Sequence, residues 1–461
     1  MHSYPLPVPR YEDTPLPRID LRLERVVAAG GEEMIQEPSL LALDSSYTFE
    51  TTKRLHLWQA VLVRDLDGFF RHVWSVHPFG ELSEASQGRG SGTLERHQLN
   101  DRHTFIQARP GRFAALRLLF PLNFVLAQIG LFCRLRTLIR NERVSVIRAG
   151  DPLYTGLLGL LLARNTRIPL VIRINANNDS VRETTGRPMY PRLLRSIAVE
   201  KALERFVLRR ADWVVAPSQD YMDFAVANGA DPQRTALFRY GNLLAPQHLI
   251  EPAKRGFDES LFKSLGIEPR RYLLCVSRLQ QLKFPDDAVR CLRSARSAGH
   301  DVRLVLAGDG PMRNEIEALI RQLDLADHVA LPGSLPQNAL EQLYPNAAVV
   351  VSPLTGRALS EAAFGGAAIA AYHLDWQSDL IETGVTGELV PFRDNEALGK
   401  AVLKFLDQPQ YARDMGKAVR ARALDMLHPE RLNAHERAVY ARLLGIDASY
   451  SAAAHSLPFS V

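Results

Sequence analysis

The segment Val276-Ser277-Arg278-Leu279 opens the region that decides the fold of this chain, which runs from Tyr272 to Glu388. Lys283 follows, and then come Leu306-Ala307-Gly308-Asp309-Gly310-Pro311 and Leu359-Ser360-Glu361-Ala362-Ala363-Phe364-Gly365-Gly366. The segments that begin at Val276 and Leu306 each continue from an apolar, β-rich run, and the segment that begins at Leu359 starts a helical pattern. Strands that lead through polar or glycine-rich turns into helices predict alternating α/β structure.

The same alternation extends over most of the chain and falls into two groups of strands. A parallel sheet covered by helices on both faces is the structure that such alternation predicts. Two doubly wound sheets place a ligand in the crevice at the carboxyl ends of their strands. The predicted strands are 60–63, 72–76, 144–147, 170–174 and 213–216 in the first group, and 273–276, 302–306, 329–331, 348–351 and 368–371 in the second.

The length of 461 residues is too great for one ordinary core and predicts two domains with short tails. Residues 81–101 are polar and rich in Gly and Ser, so they predict a loop inserted in the first domain. The predicted division is an irregular Pro- and Arg-rich arm over 1–38, a first domain over 39–250, a second domain over 265–428, a closing helix over 429–446 and a tail over 447–461.

The composition is that of a folded soluble protein, with 46% hydrophobic and 23% charged residues. Cys133, Cys275 and Cys291 lack metal-ligand spacing, which argues against a disulfide framework or a zinc site and favours a reducing cytoplasm. The first residues lack the pattern of a signal peptide, and no segment is expected to span a membrane. The net charge of +5 suits an anionic substrate or a lipid surface, and no motif indicates nucleic-acid binding.

Arg278 and Lys283 are the candidate catalytic residues. A planar guanidinium and an ammonium between a strand and a helix can hold a diphosphate and stabilise its charge as it leaves. The alternative is two solvated cations in a loop of a basic protein.

Gly308, Gly310, Glu361 and Gly365 are candidate residues for binding a nucleotide. Glycines after a strand let the backbone approach a base or ribose, although a tight turn without a ligand explains them as well. Glu361 could accept bonds from both ribose hydroxyls, or it could simply complement the dipole of its helix.

The ordered set of Ser277-Arg278-Leu279, Lys283, Ala307-Gly308-Asp309-Gly310-Pro311 and Glu361 with Gly365-Gly366 resembles the retaining glycosyltransferases of family four, the group 1 glycosyltransferases with the GT-B fold. The resemblance implies two Rossmann-like domains facing each other across a cleft, with the nucleotide sugar on the second. Arg278 and Lys283 would hold the diphosphate, Glu361 the ribose, and the turn from Gly308 to Arg313 would lie near the base.

The resemblance also implies an enzyme that transfers a hexose from a UDP-, GDP- or similar nucleotide sugar, with retention, to a glycan, lipid-linked or other glycoconjugate acceptor. No pair of carboxylates stands out as nucleophile and acid, so the departing diphosphate would itself receive the proton of the acceptor. A catalytically weak sugar-nucleotide-binding partner of another transferase, or an epimerase on the same fold, are the alternatives.

One position departs from the family pattern. The family has a second glutamate eight residues before the position of Glu361, and this chain has Pro353 there. Sugar recognition is therefore expected to involve the turn of Thr355, Gly356, Arg357 and Ala358, or Asp375 and Trp376.

The tripeptide Asp65-Leu66-Asp67 matches the Asp-x-Asp pattern of metal-dependent sugar transferases of the other major fold. It precedes Gly68-Phe69-Phe70, so the interpretation adopted is a helix cap. No metal and no other cofactor is predicted.

The candidate acceptor-side residues follow two strands of the first domain. Asp151 and Tyr154 stand in the turn after the strand at 144–147, where capping of a helix alone would also explain the sequence. Asn175, Asn177 and Asp179 end the next strand and are denser in polar groups than a plain loop requires.

Residues 112–140 combine arginines with large apolar side chains. They predict either a helix on anionic lipid, giving a peripheral contact with the inner face of the membrane, or a helix that covers the first sheet. The second interpretation is favoured.

Overall fold

Two β-sheets with helices packed against them organise the chain in this computed structural model. The structure describes residues 37–54, 57–80, 94–191, 194–240, 246–254, 256–354, 356–374 and 376–446. The strand order of the two sheets confirms the predicted α/β architecture with two Rossmann-like sheets. Residues 1–36 of the predicted N-terminal arm, residues 81–93 of the predicted insertion, Thr355, Asp375 and the C-terminal tail lie outside the described residues.

The first sheet has eight strands in the order β3-β4-β2-β1-β5-β6-β7-β8, all parallel to their neighbours except β3 against β4. The strands are β1 Ser39–Leu43, β2 His72–His77, β3 Glu95–Asn100, β4 His103–Gln107, β5 Val146–Ala149, β6 Leu170–Arg173, β7 Trp213–Ala216 and β8 Thr235–Leu237. The helices are α1 Phe49–Arg54, α2 Gln59–Leu62, α3 Phe120–Asn141, α4 Tyr154–Thr166, α5 Asn178–Thr185, α6 Ile197–Leu208 and α7 Gln219–Ala227.

Two predictions for this domain are wrong. Residues 60–63 lie in α2 and the 3-10 turn that follows it, because a short apolar run does not by itself distinguish a buried helix from a strand. Residues 95–100 of the predicted loop form β3, whose residues alternate between partial burial and exposure. As an edge strand paired only with β4, it keeps a polar composition that hides it in the sequence.

The second sheet is entirely parallel, in the order β11-β10-β9-β12-β13-β14. Its strands are β9 Tyr272–Val276, β10 Arg303–Ala307, β11 Val329–Gly333, β12 Val349–Ser352, β13 Ile369–Tyr372 and β14 Glu388–Val390. The helices are α8 Glu259–Leu265, α9 Pro285–Ser297, α10 Arg313–Gln322, α11 Gln337–Asn346, α12 Arg357–Phe364, α13 Gln377–Leu380, α14 Asn395–Asp407, α15 Pro409–Met426 and α16 Pro429–Leu444.

The strand order reverses between β9 and β12 in the second sheet and between β1 and β5 in the first. At such a reversal, the loops after the two neighbouring strands run to opposite faces and leave a crevice at the carboxyl ends. The crevices of this chain therefore lie beside the loops that follow β9, β12, β1 and β5.

Helix α3 is, among the described residues, the one helix long and apolar enough by length and composition to cross a membrane, where the sequence analysis expected none. Its Leu131, Leu135 and Ile139 pack in the same core as the strands of the first sheet. The buried amide of Asn123 accepts hydrogen bonds from the backbone N–H of Arg112 and Phe113 at its start. One face of α3 is thus part of the first domain.

The last helix, α16, packs on the first domain through aromatic and charged contacts. The ring of Tyr440 lies 5.0 Å from that of Phe70 and 5.7 Å from that of Phe238. Arg437, which is 2% exposed, donates to the carbonyl oxygen of Leu66 at 3.1 Å and to Asp67 at 3.0 Å.

The contact with α16 corrects the interpretation of Asp65-Leu66-Asp67 as a helix cap. Leu66 and Asp67 have left-handed φ angles of 53° and 57°, and the chain turns there into β2 without forming a helix. The Asp67 carboxylate instead accepts hydrogen bonds from Arg437 and, at 2.8 Å, from Asn433.

We expect Asp67→Ala to lower the free energy of unfolding by about 3 kcal/mol, because it takes the carboxylate away from a buried guanidinium. The matched control is Asp425→Ala, which breaks the exposed pair of Asp425 with Arg431 and should cost at most about 1 kcal/mol. Urea denaturation of both variants measures the difference. Equal losses would show that the Arg437 contact does not hold α16 in place.

Candidate active site

A cleft of about 620 Å³ lies where the carboxyl ends of the two sheets face each other. Arg278, Lys283, Gly356 and Arg357 line it from the second domain, and Gly150 and Asn175 line it from the first. The structure thus brings both predicted catalytic cations to the same cavity as the turn after β12 and one predicted acceptor-side residue.

Lys283 lies beside the start of α12. Gly356, the residue before this helix, has a φ of +68°, and a Cβ placed there would stand 3.9 Å from the Lys283 Nζ. The first N–H groups of a helix have no partner within it and carry partial positive charge. An ammonium next to them, with Arg278 and Arg357 in the same cleft, makes a site suited to an anion with several oxygens.

The turn after β12 is fixed by the buried side chain of Gln377. Its Nε2 donates to the carbonyl oxygens of Pro353, at 3.0 Å, and Tyr372, at 2.8 Å, while its Oε1 accepts from Ser352 at 3.1 Å. Pro353, at the position where the family has a second glutamate, therefore contributes a backbone carbonyl that accepts a hydrogen bond from Gln377. Trp376 lines the cleft near this turn.

Glu361 lies inside α12 and is 3% exposed. Its Oε1 accepts from Arg357 Nε at 3.0 Å and its Oε2 from the Tyr344 hydroxyl at 3.2 Å. Burial and the neighbouring Glu361 carboxylate raise the pKa of Tyr344 well above its ordinary value, so the hydroxyl stays a donor. Glu361 as placed here positions Arg357 at the cleft, and its contact with a ribose stays a prediction.

The candidate glycines have close packing partners in the protein. A Cβ on Gly308 would lie 1.8 Å from the carbonyl oxygen of Ser277, and one on Gly310 would lie 2.4 Å from that of Leu279. A Cβ on Gly365 would lie 2.7 Å from the Cβ of Tyr344. Gly308 and Gly310 let the loop after β10 pack on the loop that carries Arg278. This is the alternative of a tight turn without a ligand, and the contact of these glycines with a nucleotide stays a prediction.

The acceptor-side candidates after β5 have partners within the first domain. Asp151 accepts from the Leu153 N–H at 2.8 Å and from the Thr155 hydroxyl at 2.6 Å, although burial raises its pKa. The Tyr154 hydroxyl donates to Gln128, and its ring packs edge-on against Phe79 at 5.0 Å.

The candidates after β6 divide between the cleft and the domain interior. Asn175 lines the cleft and donates to the carbonyl oxygen of Gly150 at 2.6 Å. Asn177 caps α5 through the N–H of Ser180, and Asp179 pairs with Lys201 at 2.9 Å. Of the five acceptor-side candidates, Asn175 is the one that reaches the cleft.

Five charged residues on the first-domain side of the cleft are not among the residues predicted from the sequence. For two of them a signal was present, an arginine inside an apolar strand. A strand of a parallel sheet covered on both faces is normally a continuous apolar run, so an arginine within it points to a polar cavity. The five residues are Asp44, Arg64, Arg148, Arg173 and Glu436.

In the part of the chain that the structure describes, no group of three or more His, Cys, Asp or Glu side chains could hold a metal ion. Asp65 lies 3.6 Å from His103, and Asp67 is bonded to α16, so the two carboxylates of the tripeptide have separate partners.

Gly308→Ala should cost about 3 kcal/mol of unfolding free energy, since the new methyl group adds a steric clash with Ser277 to the strain of a left-handed residue. Gly333→Ala is the control: Gly333 also has a left-handed φ of +75°, but its Cβ would meet nothing within 4 Å. We expect about 1 kcal/mol there. Urea denaturation measures both, and similar losses would contradict the proposed tight packing of the two loops.

Comparisons with known proteins agree with this arrangement. Residues 257–422 match the family described as Glycosyl transferases group 1, and residues 74–241 match the Glycosyl transferase 4-like domain. An alpha-D-kanosaminyltransferase of Streptomyces kanamyceticus is 26% identical over 56% of this chain and 66% of the relative. A GDP-mannose-dependent alpha-(1-6)-phosphatidylinositol monomannoside mannosyltransferase of Mycolicibacterium smegmatis is 26% identical over 41% of this chain and 55% of the relative.

The chain thus spans about half to two thirds of the length of these curated relatives. A crystal structure of Anabaena HepE in complex with UDP and glucose aligns with a TM-score of 0.64 at 16% identity, covering 88% of this chain and 99% of that one. At this identity the likeness shows the fold. Since a family match covers each half and two Rossmann-like sheets face one cleft, the chain belongs to the group 1 glycosyltransferases with the GT-B fold.

Proposed function

We propose that this protein transfers a hexose from a nucleotide diphosphate sugar to an acceptor bound by the first domain, with retention at the anomeric carbon. The observation that carries the proposal is the placement of Arg278 and Lys283 in the cleft, beside the start of α12, at the reversal of strand order in the second sheet. That is where a parallel α/β sheet binds a nucleotide.

The chemistry follows from the charges at this edge. As the sugar–phosphate bond breaks, negative charge grows on the diphosphate, and the two cations with the N–H groups of α12 stabilise it. The acceptor hydroxyl enters on the same face of the sugar, and its proton passes to an oxygen of the departing diphosphate. Cations of the protein thus supply the stabilisation of the leaving group.

Recognition of the donor sugar is proposed for the turn between Gly356 and Ala358, with Trp376 beside it. Arg357 presents its guanidinium to the cleft from this turn and is oriented by Glu361. It can donate to the oxygens of sugar hydroxyls or of the diphosphate, a contact opposite in direction to the one that a carboxylate at position 353 would make. Its neighbour Thr355, outside the described residues, stays a candidate on the sequence alone.

The nucleoside of the donor is proposed to be uridine or guanosine. The mannosyltransferase relative is named as dependent on GDP-mannose, and the HepE structure contains UDP. Thermal shift of the chain with UDP, GDP and their hexose conjugates would distinguish the two.

Pro353 favours a second candidate function, a sugar-nucleotide-binding partner of another transferase. The two functions differ in one measurement, the hydrolysis of the donor when no acceptor is present. A transferase should release free sugar slowly, whereas a binding partner should release none.

Lys283→Ala is expected to lower kcat/KM for transfer about a thousandfold, because it removes one of the charges that stabilise the leaving diphosphate. The fold should survive, since the Lys283 side chain lies at the cleft and outside the apolar cores. Lys263→Ala, at an exposed lysine of α8, is the control and should leave kcat/KM unchanged. Turnover near that of the wild type in Lys283→Ala would contradict the assignment.

The acceptor is proposed to be a glycan or a lipid-linked sugar, reached in the second case by peripheral contact with the inner face of the membrane. Helix α3 and the 3-10 turn before it expose large apolar side chains on the side away from the core. Residues 102–141 contain seven arginines and no aspartate or glutamate. An apolar strip within a purely cationic segment is complementary to anionic lipid. The exposed apolar residues are Leu118, Leu119, Leu122, Val125 and Ile129.

Flotation with vesicles containing phosphatidylglycerol tests this contact. The double variant Leu122→Asp with Ile129→Asp should lose binding, because it places two anions seven residues apart on the face that meets the lipid. Val199→Asp with Phe206→Asp has the same spacing on exposed positions of α6 and is the control. Equal binding of the two double variants, or no binding of the wild type at low salt, would remove the membrane proposal.

A further inference from the structure

The first-domain floor of the cleft has an unusual composition for the face of a covered sheet. Ala42 on β1 is paired in register with Ser75 on β2 and with Arg148 on β5. All three line the cleft, where apolar side chains would be the rule. The small Ala42 leaves space between the hydroxyl and the guanidinium, so the floor is hollow as well as polar.

A second arginine, Arg173, reaches the same floor from β6. Val171 is the partner of Arg148 in the register of β5 and β6, and Arg173 stands two residues further along. Because side chains alternate along a strand, Arg148 and Arg173 point to the same face of the sheet.

A third arginine, Arg64, enters from the 3-10 turn after α2. It donates to the Ser75 hydroxyl at 2.9 Å and forms a close ion pair with Asp44. Although burial opposes it, the charge of Arg64 lowers the pKa of Asp44 to about 2, so this carboxylate is ionised. Burial lowers the pKa of Arg64 itself, and the nearby charges of Arg148 and Arg173 act in the same direction.

The carboxylates at this floor are fewer than the arginines. Asp44 pairs with Arg64, and Glu436 of α16 lies with Tyr440 beside Arg148. Arg173 donates to the carbonyl oxygen of Phe238 at 3.3 Å and lies 5.7 Å from the ring centre of Tyr240. Among the described residues no carboxylate comes within ion-pair distance of Arg173, so three cations face two anions.

One buried arginine of the same domain, Arg182, is fully matched by acids. Arg182, 5% exposed, makes ion pairs of 3.0 Å with Asp179, Glu200 and Glu204. A buried guanidinium is costly unless a carboxylate or another anion accepts its hydrogen bonds. Arg173, half-buried at the floor of the cleft, has no such carboxylate among the described residues, and a ligand in the cleft can reach it.

We propose that Arg173, together with Arg64 and Arg148, binds an anionic group of the acceptor, a phosphate or a carboxylate, on the first-domain side of the cleft. The inference rests on the proposed transfer reaction and names the chemical class of its acceptor. A guanidinium presents donors in a planar fork that matches both anions. The acceptor would thus be held by its charge while its hydroxyl is directed towards the second domain.

The site is separate from the one proposed for the donor. Arg278, Lys283 and Arg357 belong to the loops after β9 and β12, whereas the three floor arginines belong to the first sheet and to the turn after α2. Saturation with UDP occupies the proposed donor site and leaves an anion free to bind the floor.

The test measures, by calorimetry, the binding of inorganic phosphate, glucose 6-phosphate, glucuronate and glucose to the full chain saturated with UDP. Binding of the two phosphates alone supports the proposal with a phosphorylated acceptor, and binding of glucuronate supports it with an acidic sugar. Arg173→Gln should raise the Kd for the anion at least about tenfold and leave the Kd for UDP within about twofold, because it removes one charged contact of the first domain. Arg173→Lys should recover part of the affinity.

The control for folding and for general charge is Arg293→Gln, which removes an exposed arginine of α9 and should change neither affinity. The proposal is overturned if no anion binds, if glucose binds as well as the anions, or if Arg173→Gln binds them as tightly as the wild type. A wild-type chain that fails to bind any nucleotide would instead contradict the proposed transfer reaction, so the two failures are distinguishable.

Discussion

The site of this protein depends on one constraint, the reversal of strand order within a parallel sheet. Strands that run in one direction end at one edge, and a reversal there leaves a crevice between two loops that run to opposite faces. Each sheet has one such reversal, between β1 and β5 and between β9 and β12. The two crevices face each other, so residues that are distant in the sequence, such as Asn175 and Lys283, line one cavity.

The strand ends also determine which parts of the site are rigid. On the second domain, the loop with Arg278 is packed on the glycine turn after β10, and the turn after β12 is tied by Gln377. Cations held in this way would need no rearrangement to bind the proposed diphosphate, which is the condition for effective electrostatic stabilisation. Glycines whose local role is close packing of loops thereby contribute to the geometry of the cations.

Much of this arrangement follows from patterns that the sequence displays. The apolar runs that became β5, β6, β7, β9, β10, β12 and β13 are mostly buried, and β11 is half-buried; all are bounded by turn residues, so periodicity finds them. β3 escapes because an edge strand is polar, and β1 escapes because it follows an irregular stretch that has no alternation with helices. Arg278 and Lys283 are found because they stand after a predicted strand.

The rest could not be found from spacing, because it depends on which atoms meet in space. Glu361 has the position expected of a ribose ligand, yet its two oxygens accept bonds from Arg357 and Tyr344. Asp151 and Asp179 have the types expected of acceptor contacts, yet both carboxylates serve their own domain. Arg173 lies within a predicted strand and Arg148 directly follows one, so spacing marks neither as a candidate, although a charge within a buried strand requires a partner or a ligand.

The last helix, α16, links the packing between the domains to the charged residues of the cleft. α16 follows α15 of the second domain, returns to the first, and places Glu436 at the cleft beside Arg148. Arg239 of the first domain also pairs with Asp379 of the second at 2.5 Å, with both side chains largely buried. One of the two carboxylates at the floor of the cleft is therefore supplied from the end of the fold, so a movement of α16 would change the field at Arg148 as well as the packing on Asp67. The packing of the two domains and the electrostatics of the cleft floor are in this way linked through the same helix.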